Sequence, residues 1–272
     1  MSMNIVNSNG LLRQRVKNYF TSDAASNQIA SELIHSLAEH AHVYIFGGMI
    51  RDLGLYGTEG FSSDIDLVYE GSRQALQNTL FHIGITNPIE NKFGGFRFHF
   101  SQHDFDIWCL EDTWAFKNKH ISLKDVNSLL KTTLMSWDAI IYDVTKNEII
   151  AEDDYLNNLM NRHLDVVLTD NPNTIGSMVK ILRTIYIKDV VSLGPKLCDF
   201  LHQKLQGSDI NEIIEYEQAH YEEQTIEKEY VLNLHNDLSC FNYQNAFTLK
   251  QHHLKKNNSH SAHDRVANKL EP

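Results

Sequence analysis

Apolar positions change their period along the chain, and the changes divide it. Ile29, Leu33, Ile34 and Leu37 recur at helical spacing, so residues 11–40 predict two short helices. Val43-Tyr44-Ile45-Phe46 then reads as a buried strand closed by Gly47-Gly48, and Met49 to Leu53 opens a new helix. After a Gly- and Ser-rich loop, Tyr56 to Ser63, a second strand runs from Ile65 to Tyr69. Residues 72–83 suit a helix, and Phe93–Phe100 with Phe105–Leu110 alternate as a β-hairpin does. A helix-like stretch around 124–135 precedes a strand at Ala139–Asp143, and Asn147–Ile150 completes a turn and another strand.

From about residue 151 the pattern predicts helices only: 152–168, 174–192 and an acidic stretch, 208–234, that carries eight Asp and Glu residues against Lys228. A charge run of this kind is ordinarily a solvated face, and it is also the natural surface for a protein partner. Residues 251–272, with Lys255-Lys256 and scattered histidines, read as a flexible tail. The expected division is N-terminal helices at 1–38, a mixed α/β domain at 39–150, a helical domain at 151–250 and the tail.

Composition narrows the function classes. A net charge of −11 over 272 residues argues against a surface that grips long nucleic acid throughout, although a local basic patch remains compatible with it. The three cysteines, Cys109, Cys198 and Cys240, show neither CxxC spacing nor an even count, which predicts reduced thiols in a cytoplasmic protein. No stretch approaches the ~20 apolar residues of a bilayer span, and the N-terminus lacks a signal-peptide pattern, so no membrane role is expected. The fifteen histidines lack metal-ligand spacing; His252-His253, His260 and His263 promise at most adventitious metal binding.

The chemistry lies in two places. Gly47-Gly48 lets the chain turn sharply and approach a ligand, and the helix that follows aims its first N–H groups at the same point, which suits a phosphate. Sixteen positions after Gly48 comes Asp64-Ile65-Asp66. Residues two apart on a strand share a face, so both carboxylates project together while Ile65 and Leu67 face the core. Two such charges need a cation between them, and magnesium suits a pair of carboxylates that leaves room for water and phosphates. A third acid belongs on a neighbouring strand. Asp104 and Asp106 share one face, and Asp106, set between Phe105 and Ile107 as Asp66 is between apolar neighbours, is the better candidate.

Phe46 to Leu53, followed by Ser63 to Leu67, resembles the Gly-Gly-x-Val-Arg-Asp…Asp-x-Asp signature of class II CCA-adding enzymes and bacterial poly(A) polymerases. Asp138 to Asp143 resembles their Asn-Ala-x-Ala-Tyr-Asp strand, and Lys180 to Ile185 their Arg-x-Leu-Arg-Ala-x neck helix, so the resemblance covers roughly residues 40–190. It implies an α+β fold: a polymerase-β-like nucleotidyltransferase palm with a mixed sheet, followed by an all-helical neck-like region. It also implies that Asp64, Asp66 and Asp106 hold two Mg2+ ions, with Mn2+ as the alternative, and that a hydroxyl attacks the α-phosphate of ATP or CTP. Gly47, Gly48, Arg51, Asp52, Lys180 and Arg183 would serve the nucleotide, although Arg51-Asp52 equally reads as a brace within the helix. The acceptor it implies is an RNA 3′ end, tRNA above all.

The resemblance breaks at three points. Thr132, Thr133 and Leu134 stand where the family carries Arg-Arg-Asp, a motif tied to ribose recognition. Asn211-Glu212-Ile213-Ile214-Glu215 lies near the family's base-reading Glu-Asp-x-x-Arg but has no arginine, and the chain lacks the length for the family's tRNA-holding body and tail. Gly60-Phe61-Ser62-Ser63-Asp64-Ile65-Asp66 also resembles the Phe-Ser-x-Asp-hydrophobic-Asp segment of toxin–antitoxin nucleotidyltransferases. Three readings stand: transfer to RNA, transfer to a protein or small molecule, and a degenerate relative that only binds.

Overall fold

Ser8 opens α1 (Asn9–Phe20): its hydroxyl accepts the Leu11 N–H at 3.2 Å, satisfying a donor that the first helical turn leaves without a partner. α2 (Ala25–Ala38) buries Ala30, Leu33, Ile34 and Leu37, the stripe its sequence predicts. The computed structural model describes residues 5–58, 61, 63–242 and 244–254. They form two units, one of the residues up to Thr133 with Trp137–Met160, the other of Leu134–Ser136 with those from Asn161 onward. Both N-terminal helices belong to the first unit. β1 (His42–Phe46) leads into α3 (Gly48–Tyr56), and Arg15 of α1 donates to the Leu53 and Gly54 carbonyls of α3, each at 2.9 Å. A cation at a helix C-terminus both satisfies carbonyls and complements the helix dipole.

The remaining elements of this unit are β2 (Ile65–Glu70), α4 (Arg73–His82), β3 (Ile89–Glu90), β4 (Phe96–Phe100), β5 (His103–Cys109), α5 (Trp114–Lys117), β6 (Ile140–Asp143), β7 (Glu148–Ala151) and α6 (Tyr155–Met160). The strands form a seven-stranded mixed sheet in the order β3-β4-β5-β2-β1-β6-β7. Every pairing is antiparallel except β2 with β5, which run parallel. A parallel pair needs a long crossover, and α4 with the β3–β4 excursion supplies it. Ile65, Leu67, Phe105 and Ile107 are buried, while Asp66 and Asp106 alternate with them on the opposite face. The stretch around 124–135 is not an α-helix: Val126–Lys131 and Ser136–Asp138 are short 3-10 turns, the first opened by Asp125 and Ser128.

The second unit contains β8 (His163–Leu164), α7 (Thr174–Ile187), β9 (Ser192–Leu193), α8 (Pro195–Gly207), α9 (Ile210–His220), α10 (Lys228–Ser239) and β10 (Phe247–Thr248). It is largely helical, but not wholly: the three two-residue strands form a small sheet in the order β10-β9-β8. Strands this short carry no periodicity, so the sequence could not announce them. The expected helix at 208–234 is two helices, α9 and α10, and a buried charge explains the break. Glu217 of α9 is fully buried and accepts Arg183 Nη1 at 2.6 Å, Thr225 Oγ1 at 2.7 Å, and the backbone N–H groups of Thr225 and Ile226 at 2.9 and 3.0 Å. Those bonds pull the chain after Tyr221 back onto α9. The other acids of the stretch, among them Glu212, Glu215, Glu222 and Glu229, are exposed. At the C-terminal end, Gln251–His253 form a 3-10 turn with His253 buried, not the start of a loose tail; residues 255–272, with His260 and His263, lie outside the described residues.

Truncating Glu217 removes the carboxylate partner of a buried guanidinium and of the Thr225 and Ile226 backbone N–H groups. Glu217→Ala is expected to lower the unfolding free energy of this unit by about 3–5 kcal/mol, whereas exposed Glu212→Ala changes it by less than about 0.5 kcal/mol. Urea titration followed by circular dichroism measures both.

Candidate active site

The registers gather the sequence candidates at one end of the sheet. β1 runs antiparallel to β2 with Ile45 opposite Leu67, so the Gly47–Gly48 turn leaves β1 where β2 begins, beside Asp64 and Asp66. β5 runs parallel to β2 with Asp66 opposite Asp106 and Ile65 opposite Phe105, so Asp104 and Asp106 arrive at the same end. Asp64, Asp66 and Asp106 therefore share one sheet face. Asp104 is drawn to the neighbouring strand, where its Oδ1 lies 2.9 Å from His99 Nδ1.

Arg97 completes the row, and sequence reasoning did not single it out. β4 pairs with β5 so that Arg97 lies opposite Asp106. Its Nε sits 3.1 and 3.2 Å from the two Asp106 carboxylate oxygens and its Nη2 2.5 Å from Oδ2, while Nη2 stands 3.5 Å from Asp64 Oδ2. The alternation Phe96-Arg97-Phe98-His99-Phe100 was the available signal, since it puts Arg97 and His99 on the face opposite the phenylalanines. Burial, partly offset by Arg97 and reinforced by Asp106 and Asp104, raises the Asp64 carboxyl above its ordinary value. Hydrogen bonding to Asp106 raises the Arg97 guanidinium further above its already high one. The carboxylate row thus draws in one guanidinium, while burial is the main reason that Asp64 is raised. The row's oxygens are hard donors, of the kind that Mg2+ and Mn2+ accept as ligands.

Gly47 makes the turn. Its φ of 65° is one that L side chains rarely adopt, and a Cβ there would stand 3.2 Å from the Asp138 carbonyl oxygen. Its N–H donates to the Ile140 carbonyl at 2.9 Å and its carbonyl accepts the Arg51 N–H at 3.1 Å, tying the turn to β6 and to α3. Beside Gly48 the space is bordered by the Arg51 guanidinium and the Ser63 hydroxyl. Arg51 is buried; Nε and Nη2 donate to Asp52 at 2.7 and 3.1 Å, and Nη1 pairs with Asp138. Of the two expectations for Arg51-Asp52, a phosphate partner or a brace, these bonds are those of the brace. Asp138, its partner in β6's approach, stood in the sequence only as part of a strand motif. Phe46 and Trp108 meet edge to face at 6.0 Å, and Trp108 sits on β5 two residues beyond Asp106.

Lys180 and Arg183 lie on α7, in the second unit. Lys180 is exposed, whereas Arg183 is buried among Glu217, the Glu223 carbonyl at 2.6 Å and the ring of Tyr221 at 4.0 Å. Its guanidinium is held inside that unit. Thr132 and Thr133 bring no charge to the place of the Arg-Arg-Asp motif: the Thr132 hydroxyl donates to the Leu129 carbonyl at 2.8 Å, and Thr133 is buried. Gly60 and Ser62 of the Phe-Ser-x-Asp segment lie outside the described residues.

Among the described residues a single group of three His, Cys, Asp or Glu side chains brings its ligand atoms within 4.8 Å of one another, as a metal ion would need: Asp237, His252 and His253, and not the Asp64, Asp66 and Asp106 row. The histidines were expected in a tail; what brings them together is the 3-10 turn folding back on α10, a contact no local spacing reveals. The cluster already makes sense as a hydrogen-bonded hub. The Lys250 N–H donates to His253 Nδ1 at 3.0 Å, which leaves the ring proton on Nε2, 3.1 Å from Asp237 Oδ2. Lys250 Nζ stands 3.2 Å from the same oxygen. Imidazole donors suit zinc or nickel rather than magnesium, so the chemistry of this cluster differs from that of the carboxylate row.

No family model matches the chain, and no curated protein matches it in sequence. Its fold does resemble solved structures of tRNA-processing and CCA-adding enzymes. A tRNA-processing enzyme in a complex aligns with a TM-score of 0.56 at 15% identity, covering 76% of this chain and 56% of that one. A tRNA nucleotidyltransferase bound to a primer tRNA and an incoming ATP analogue aligns at 0.52 and 14%, covering 77% and 60%. The Bacillus stearothermophilus CCA-adding enzyme with CTP aligns at 0.51 and 15%, covering 70% and 47%. The chain thus spans about half the length of the structures it resembles. Among the described residues no helix is long and apolar enough to cross a membrane.

Two substitutions test the geometry. Gly47→Ala forces a left-handed residue against the Asp138 carbonyl, and is expected to cost at least about 1–2 kcal/mol in urea unfolding. Asp64→Asn should act oppositely in metal-free protein. A carboxyl raised by folding binds its proton more tightly in the folded state, so its ionisation lowers stability above that raised value and is neutral below the unfolded one. The amide mimics the neutral form. It should raise the melting temperature at neutral pH, with the gain vanishing as pH falls through the carboxylate range, as scanning calorimetry against pH will show.

Proposed function

We propose that this chain is a metal-dependent nucleotidyltransferase that moves a nucleoside monophosphate from ATP or CTP to a hydroxyl acceptor, releasing pyrophosphate, with an RNA 3′ end as the acceptor. One observation carries the reading: Asp66 and Asp106 face each other across the parallel β2–β5 pair, with Asp64 beside them, at the sheet end where Gly47–Gly48 opens α3. Asp64, Asp66 and Asp106 would hold two divalent ions. When bound, such ions lower the pKa of an attacking hydroxyl and neutralise charge on a departing pyrophosphate. The chain's own residues do the rest. Gly47 and Gly48 keep side chains away from the phosphates, and the first N–H groups of α3 point at them. Arg51, held by Asp52 and Asp138, fixes the angle of that helix to the sheet. Asp106 would also accept the hydroxyl proton, once Arg97 releases it.

A second reading, transfer to a protein or small molecule, is favoured by one observation: uncharged Thr132 and buried Thr133 leave no cation where RNA-directed relatives carry the ribose-recognising arginines. The exposed acids of 208–234 would then offer a partner surface. Incubation with labelled NTPs, Mg2+ and total RNA separates the two. Labelled RNA that falls by more than about 100-fold in Asp66→Asn supports the RNA reading, that loss being larger than an outer-sphere partner would cause. Label confined to a protein band transfers the assignment to the second reading, and no label with any NTP sinks both.

A further inference from the structure

We propose that Arg97 is a resident counter-ion of the carboxylate row, occupying the cation position when no divalent ion is bound and passing to the triphosphate when one is. The inference rests on the nucleotidyltransferase reading and deepens it, because it says how that site changes between its empty and loaded states.

Position comes first. The β4–β5 register sets Arg97 directly opposite Asp106, and the β2–β5 register sets Asp106 opposite Asp66, so cation, anion and anion stand in one line across three strands. Arg97 grips Asp106 through Nε and Nη2 and reaches Asp64 with the same Nη2, so its charge lies between two carboxylates from different strands. An ion ligated by Asp64 and Asp106 would need the oxygens that Arg97 now holds. Guanidinium and divalent ion thus compete for them, and the guanidinium keeps its charge throughout.

Mobility comes second. Arg97 is 47% exposed and Asp106 15%, so the acid is fixed in the sheet while the guanidinium can swing into solvent. This separates it from Arg51 and Arg183, both buried and held by acids in closed pockets. A released guanidinium keeps its fork of N–H donors, a shape and charge that match a phosphate group, and its stem keeps it at the mouth of the row where the triphosphate would lie. His99, two residues along β4, is already paired with Asp104 and leaves this role to Arg97.

Arg97 is accordingly a positioning residue, and its test reads binding and not turnover. Mn2+ affinity is measured by electron paramagnetic resonance for wild type, Arg97→Ala, Arg97→Lys and Asp66→Asn without nucleotide, and ATP affinity by calorimetry with non-reactive Ca2+. Arg97→Ala is expected to bind Mn2+ about 10-fold more tightly, since removing a unit charge a few ångströms away is worth at least that much, and to bind Ca2+–ATP about 10-fold more weakly. Arg97→Lys should fall between wild type and alanine in both. Unchanged or weaker Mn2+ binding in Arg97→Ala overturns the counter-ion role, and tighter Mn2+ with unchanged ATP affinity overturns the passage to the triphosphate. If neither wild type nor Arg97→Ala binds more Mn2+ than Asp66→Asn does, the nucleotidyltransferase reading fails and the proposal with it. Circular dichroism checks folding, and Arg97→Gln replaces alanine should that variant unfold.

Discussion

The parallel pairing of β2 with β5 sets Asp66 beside Asp106, and most of the first unit can be understood as what that pairing needs. Like charges directly opposite each other on adjacent strands repel. The sheet tolerates them because the surrounding ladder is strong: Ile65, Leu67, Phe105 and Ile107 are buried on the other face, and β1 and β4 flank the pair on either side. An unfavourable arrangement can persist where an otherwise well-packed sheet holds it in place. Here the strain is electrostatic, and Arg97 relieves part of it.

Around that pair the structure separates rigid from adjustable charge. Arg51 with Asp52 and Asp138, and Arg183 with Glu217, are buried pairs with short hydrogen bonds. Such pairs contribute little net stability against a well-packed apolar alternative, but losing one partner is costly, so they fix geometry more than they add to folding energy. Arg97, half exposed, belongs to the other kind.

Much of this could be read from the chain. The strand–Gly-Gly–helix turn and the Asp64/Asp66 strand depend on local rules, period and backbone freedom, and they appear where those rules put them. What stayed hidden was set by contacts between distant segments. The parallel register of Asp66 with Asp106 pairs residues forty positions apart, which no local pattern encodes. The break between α9 and α10 depends on Arg183, thirty-four positions before Glu217. The gathering of His252 and His253 at Asp237 depends on a turn folding back over fifteen residues. The three short strands of the second unit are below the length at which alternation can be seen.

The brace at Arg51 has a consequence for how such chains are found. The stretch from Phe46 to Leu53 looks like a single signature, yet its residues answer to different constraints: Gly47 to backbone torsion and a nearby carbonyl, Arg51 to its neighbour Asp52 and to an acid eighty-seven positions away on the approach to β6. A lineage that changed its substrate would be free to rewrite every residue that touches substrate and still have to retain this stretch. Similarity along this stretch therefore reports on the scaffold and not on the substrate.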